Sequence, residues 1–192
     1  MLEISEENES TIQDLLIAYE DETNAQARYL AFAEKADAEH LHGAASLCRA
    51  AARAEHFHAA RHAWAIKQLG VEPWCTLCSV KVKSTLENMS DALAGEQHEI
   101  GDTYPVALEK AKKHSNRTVI RSFAGALEAE KTHARLYAEV VALIEAGKQD
   151  SWIGAAREFF VCPGCGYTVK TLEQDDFCPV CRCPQERFEA VL

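Results

Sequence analysis

The chain has 192 residues, 47% of them hydrophobic, with 30 acidic against 20 basic side chains and a formal net charge of −10. Such a length serves one large domain or two unequal ones, and a negative surface without a dense Lys/Arg run excludes nucleic acid and membrane headgroups as partners. The start, acidic from Glu3 to Glu7, lacks the basic and apolar stretches of a secretory signal, and no run reaches the roughly 18 apolar residues of a membrane span. A soluble, cytoplasmic protein is therefore expected, and its eight cysteines read as metal ligands rather than as a disulfide framework.

From about residue 8 to residue 147 apolar positions recur at helical spacing in a background of Ala, Leu, Glu, Lys and Arg. The first predicted helix carries Ile12, Leu15, Tyr19, Gln26, Tyr29 and Ala33 on one stripe. A second, after Gly43, carries Leu47, Ala51, Ile66 and Leu69. The third, beyond Pro73, carries Val82, Leu86, Met89, Leu93, Thr103 and Ala107. The fourth, after Ser115 and Asn116, carries Ile120, Phe123, Leu127, Tyr137, Val141 and Ile144. Gly70 and Gly147 serve as C-terminal stops. Four long amphipathic helices predict a mainly α protein built on a four-helix bundle over residues 1–147. Residues 148–158 read as a linker. Residues 159–192, short and rich in Cys, Pro and Gly, form a second domain too small to fold without a staple.

Polar residues interrupt the apolar stripes at mid-length in every helix. Glu22 lies on the first, Glu55 and His58 on the second, Glu96 and Glu99 on the third, Glu130 and His133 on the fourth. Five carboxylates in an apolar bundle repel one another and are costly to desolvate, so the cluster calls for cations. Two divalent irons supply four positive charges. A single Glu-x-x-His in a Glu-rich helix is ordinarily a solvated pair. Here it occurs twice, as Glu55…His58 and Glu130…His133, with acids on both other helices, which is the ligand set of dimetal carboxylate bundles. Oxygen and nitrogen donors of this kind suit iron or manganese. His40, His42, His56, His98 and His114 read as surface residues. His62 falls on the inward stripe, where packing or hydrogen bonding is expected ahead of contact with the metals.

Cys162-Pro-Gly-Cys165-Gly166 and Cys178-Pro-Val-Cys181 form two Cys-x-x-Cys knuckles twelve residues apart, enough to close one tetrahedral thiolate site. Zinc uses the same spacing, and the Cys-Pro-x-Cys-Gly form favours iron. Gly166 is expected to let the backbone aim its N–H groups at the sulfurs. Cys75 and Cys78 make a third pair between the second and third helices, read as incidental or weakly redox-active. Cys48 reads as a core residue and Cys183 as a neighbour of the knuckles.

Taken together, residues 22–29 (Glu-Thr-Asn-Ala-Gln-Ala-Arg-Tyr), Glu55-His-Phe-His58, Gly95-Glu-Gln-His-Glu99, Tyr104-Pro105, Glu130-Lys-Thr-His133 and both knuckles resemble the rubrerythrins over essentially the whole chain. The resemblance implies a ferritin-like diiron bundle with a rubredoxin-like iron domain, and a peroxidase that reduces hydrogen peroxide to water. It implies that one iron exchanges His58 for Glu99 on oxidation, and that Tyr29 and Tyr104 hydrogen-bond around the pocket. It further implies electrons relayed from the thiolate-bound iron between subunits of a head-to-tail homodimer, in which helices can swap, and a separate redox donor protein. Cys75 and Cys78 depart from the family pattern. The competing readings are a ferroxidase or other iron-handling protein, a pure electron carrier, and a diiron oxygenase.

Overall fold

The structure, a computed structural model, describes residues 6–113, 116–172 and 175–192, with side chains from residue 9 onward. The acidic start from Glu3 to Ser5, and His114 and Ser115, lie outside the described residues. Helix α1 spans Glu6–Ala38 and α2 spans His42–Gln68. The turn between them is short enough that the two helices must run antiparallel. A long extended connection then leads to α3, Thr85–His98, which passes through a π-helical turn, Glu99–Thr103, directly into α4, Tyr104–Lys113. Helix α5, Arg117–Glu145, completes the bundle. No described helix is long and apolar enough to cross a membrane.

The third rod begins later than the periodicity predicts. Ser84 accepts the Glu87 N–H while the Glu87 carboxylate accepts from the Ser84 N–H, a reciprocal box that starts the helix at Thr85. Val82, expected on the buried stripe, therefore stands in the connection and is exposed. The π turn has a local cause. Pro105 has no N–H for the Gly101 carbonyl one turn back, and its ring crowds that carbonyl. The backbone widens, and the Tyr104 N–H reaches back to the Glu99 carbonyl instead. Asn116 caps α5 by accepting from the N–H groups of Thr118 and Val119.

Two apolar clusters fill the bundle. One gathers Leu15, Ile66, Tyr104, Val119 and Phe123, and the other Phe32, Leu47, Met89, Leu136 and Val140. Between them α1, α2, α3 and α5 each contribute buried polar residues: Glu22, Glu55, His58, Glu96, Glu130 and His133 are all at most 1% exposed. Cys48 is buried in the second cluster, as its stripe position predicts.

The C-terminal unit is a three-stranded antiparallel sheet in the order β2-β1-β3, made of β1 Phe159–Val161, β2 Thr168–Val169 and β3 Glu189–Val191. It lies on the bundle and is fastened to it. The Ile153 carbonyl accepts from the free N–H groups of Gly43 and Ala44 at the start of α2, at 2.8 and 3.2 Å. That approach demands a glycine, since a Cβ on Gly43 would stand 2.0 Å from the Trp152 carbonyl oxygen. Farther along α2, Arg53 grips the Glu189 carboxylate with both arms of its guanidinium at 2.6 and 2.9 Å, and Arg49 donates to the Leu192 carbonyl.

Candidate metal centres

The buried polar belt resolves into two overlapping groups. Ligand atoms of Glu22, Glu55, His58 and Glu130 lie within 4.8 Å of one another, and so do those of Glu55, Glu96, Glu130 and His133. The shared members span both. Glu55 offers Oε2 to the His58 side at 2.9 Å and Oε1 to the His133 side at 3.5 Å. Glu130 offers Oε1 to His58 at 2.8 Å and Oε2 to His133 at 2.6 Å. Two carboxylates bridging two positions, each completed by one further Glu and one His, is the geometry of a dinuclear site.

The donor set fits cations on physical grounds. Glu22 Oε2, Glu55 Oε2, Glu96 Oε2, Glu130 Oε1 and His58 Nδ1 are buried without a hydrogen-bond partner. His58 Nδ1 comes close to Glu55 and Glu130, but not in hydrogen-bonding alignment with either. These lone pairs converge on common space, and two divalent cations would satisfy them together. Burial, with Glu55 close by, pushes the Glu22 carboxyl up to about 8. Burial and the charge of Glu130 carry Glu96 well above the usual carboxylate range. Burial also opposes the charged forms of Glu55, Glu130, His58 and His133. Mutual attraction overcomes it, holding the two carboxyls low and the two imidazoles high.

Both tyrosines implied by the resemblance touch the cluster. Tyr29 donates to Glu96 Oε1 at 2.6 Å, and Tyr104 donates to Glu22 Oε1. His62, fully buried, completes a chain behind them. With the Tyr104 proton committed to Glu22, the Tyr104 oxygen accepts from His62 Nε2 at 3.3 Å, which leaves Nδ1 to accept from the Ser122 hydroxyl at 2.9 Å. Burial, aided by the charge of His58, lowers the His62 pKa to about 3, so it stays neutral.

Glu99 falls outside both groups. It opens the π turn, half-buried, and burial together with the charges of Glu22 and Glu130 raises its pKa well above normal.

The four knuckle cysteines converge on a second centre. Cys162 and Cys181 sulfurs lie 3.5 Å apart and those of Cys165 and Cys178 3.6 Å apart. These separations are too long for a disulfide and close to the edge of about 3.8 Å of a tetrahedron with metal–sulfur bonds of about 2.3 Å. The Gly166 N–H goes to the Cys162 carbonyl, not visibly to a sulfur. Gly166 matters for a different reason. Its φ is +79°, and a Cβ there would stand 2.2 Å from His58 Nε2. The bare backbone lets the two centres meet: His58 Nε2 donates to the Cys165 carbonyl at 2.8 Å, and His133 Nε2 faces the Gly166 carbonyl at 3.3 Å and Thr168 Oγ1 at 3.1 Å. A carbonyl only accepts, so Nε2 keeps its proton, and the neutral, metal-binding form of His58 presents its lone pair on Nδ1, toward the carboxylates. None of these backbone contacts is visible in the sequence pattern. Within this one chain the two centres are in direct hydrogen-bond contact.

Cys75 and Cys78 lie in the extended connection, which is strapped to α1. Thr76 N–H donates to Glu20 and Cys78 N–H to Asn24, whose amide donates to the Thr76 carbonyl. Among the described residues neither cysteine belongs to a group of three or more metal-donor side chains.

Among known proteins, the family model described as Rubrerythrin matches residues 14–141. Rubrerythrin-2 of Clostridium acetobutylicum is 33% identical over 189 residues, covering 97% of this chain and all of that one. Nigerythrin of Nitratidesulfovibrio vulgaris is 32% identical over 184 residues, 94% of this chain and 86% of its own length. The solved fully reduced, all-ferrous nigerythrin superposes with a TM-score of 0.82 at 30% identity over 94% of this chain and 86% of that one. A bacterioferritin of Desulfovibrio desulfuricans shares the fold at a TM-score of 0.70 and 22% identity, over 78% and 90%. With a dinuclear carboxylate–histidine site and a four-cysteine iron site on one ferritin-like chain, this protein belongs to the rubrerythrin family.

Proposed function

We propose that this protein is a peroxidase that reduces hydrogen peroxide to two waters, consuming two electrons and two protons, as part of oxidative-stress defence. The observation that carries the reading is the hydrogen bond from His58 to the Cys165 carbonyl, which joins a ligand of one centre to a ligand of the other. A ferroxidase has no use for a one-electron centre built against its dinuclear site. In this reading Glu22, Glu55, His58, Glu96, Glu130 and His133 hold the iron pair, and Cys162, Cys165, Cys178 and Cys181 hold the single iron.

Bound iron supplies the redox electrons. The chain supplies the rest. Tyr29 and Tyr104 hold the Glu96 and Glu22 carboxylates in place, and the Cys165 carbonyl keeps the proton of His58 on Nε2. Glu99, held toward its protonated form one turn from Glu96, would be the carboxyl that replaces His58 as a ligand when the iron is oxidised. The apolar clusters on either side of the polar belt keep bulk water out. A cytoplasmic location, a homodimer and a separate donor protein belong to the same proposal, resting on the acidic sequence and the family.

The test is to reduce the protein without oxygen and follow the thiolate-to-iron absorption while peroxide is added. Rapid return of the band, lost in Glu99→Ala and Glu130→Ala, is expected. A band that returns equally in both variants would sink the reading, and sustained consumption of added ferrous iron would favour the ferroxidase.

A further inference from the structure

The four-cysteine centre has two unlike sides. Cys165, fully buried, turns its carbonyl to His58 and so faces the dinuclear site. Cys181 is the one knuckle cysteine that is only half-buried, and it opens into a cleft of about 1080 Å³ between the knuckles and the outer faces of α2 and α5. Four arginines line that cleft: Arg61 from α2, Arg121 from α5, and Arg182 and Arg187 from the C-terminal unit. Among the described lining residues the one carboxylate is Glu128, and Lys131 already holds it at 2.6 Å. A strongly positive recess on a chain of net charge −10 is a local reversal of sign. It lies where the sulfur nearest the surface emerges.

We infer that this arginine-lined cleft is the docking face for an acidic one-electron carrier protein, which reduces the four-cysteine iron through its Cys181 edge. The inference rests on the proposed peroxidase reading, in which that iron must be refilled. In each encounter the carrier loses one electron and the ferric iron gains it, with no bond made or broken. The occupant is a protein of acidic surface, because the cleft is walled by four separate cationic side chains from two parts of the chain and the sequence has no glycine-rich phosphate loop for a nucleotide. The net charge of −10 disfavours such a partner over the rest of the molecule taken together, so the arginines set both its rate of approach and its orientation. Electrons then arrive on the Cys181 side and leave on the Cys165 side.

The test uses the iron-loaded protein and a reduced flavodoxin as the acidic carrier, with a zwitterionic viologen of no net charge as the comparison. Arg121→Glu and Arg187→Glu alter exposed side chains outside the cysteine ligands, and an unchanged absorption band verifies that the iron site survives. Two quantities are read before any peroxide is added: the affinity of the oxidised carrier for the protein, and the second-order rate of reduction of the band. At low salt the double variant should lose roughly tenfold or more in both with the carrier. The loss should vanish near about 1 M salt, where charges are screened beyond about 3 Å. The viologen rate should not change. Equal slowing of both reductants, or slowing of neither, overturns the proposal. So does displacement of the carrier by a phosphate-bearing dinucleotide bound at the same arginines, which would assign the cleft to a small anion. Because both readouts precede peroxide, their failure leaves the peroxidase reading standing, and failure of peroxide turnover leaves the docking result intact.

Discussion

Single atoms decide whether the two centres can work together. At Gly166 the missing Cβ is the space that His58 Nε2 occupies, and the φ of +79° adds a second penalty for any side chain. Gly166→Ala should therefore cost about 1–3 kcal/mol, the usual range for overpacking, and push the knuckle away from His58. The expected signature is an intact thiolate-to-iron band whose peroxide-driven return slows at least several-fold, read by stopped-flow absorption beside a thermal melt. A variant with normal kinetics would show that the contact is not the route. Tyr104→Phe probes the other side of the cluster. It removes the donor to Glu22 and strands the His62 N–H in the core, a buried unsatisfied group worth about 1–3 kcal/mol. The urea midpoint should fall accordingly, and Ser122→Ala, which removes only the outer end of the chain, should cost less.

Among the helices, the π turn is the feature that sets the register of the site. It inserts an extra residue between Glu96 and Tyr104, so that Glu96 before the turn and Tyr104 after it face the same cluster. Deleting exposed Gly101 should let the rod close as regular α-helix and rotate Tyr104 by about 100° away from Glu22. Helical content by circular dichroism should hold, while metal affinity falls about 10–100-fold, the usual loss when a ligand's supporting partner goes. Much of this scale is legible from sequence. Helical periodicity alone assigns Glu22, Glu55, His58, Glu96, Glu130 and His133 to inward faces, because 3.6 residues per turn dictates which positions share a side. Pro105 carries a readable signal for the π turn, yet periodicity averaged over a long helix hides a single extra residue. Val82 shows the opposite failure, an apolar residue in phase with a helix that the Ser84–Glu87 box had not yet begun. What periodicity cannot carry is docking between distant segments. The Ile153 carbonyl on the start of α2, the Cys165 carbonyl on His58 and the four arginines around Cys181 depend on how two folded parts meet.

For the molecule as a whole, the acidic core ties stability to metal and to pH in opposite directions. In the metal-free chain Glu22, Glu96 and Glu99 have folded pKa values raised above the carboxylate value of 4.5, and His58 and His133 are raised above 6.5. A group raised on folding contributes fully below its unfolded pKa and loses that contribution as pH climbs through its folded one. Glu55 and Glu130 are depressed, so their contribution is present above 4.5 and is lost only as pH falls through their low folded values. Between about pH 5.5 and about pH 8 the depressed pair no longer changes, while the raised groups, Glu22 at about 8 above all, lose ground. Stability of the metal-free protein should therefore fall across that window, with a slope of at most about 1.4 kcal/mol per pH unit for each titrating group. Iron reverses the sign, because it binds the deprotonated forms and releases their protons, so its affinity grows with pH. Urea unfolding at both pH values, with the iron in place and after chelation, checks the pair of slopes. A chelated protein more stable at about pH 8 than at about pH 5.5 would mean that the buried acids do not govern its balance, and that the polar belt is held together by something other than shared protons and metal.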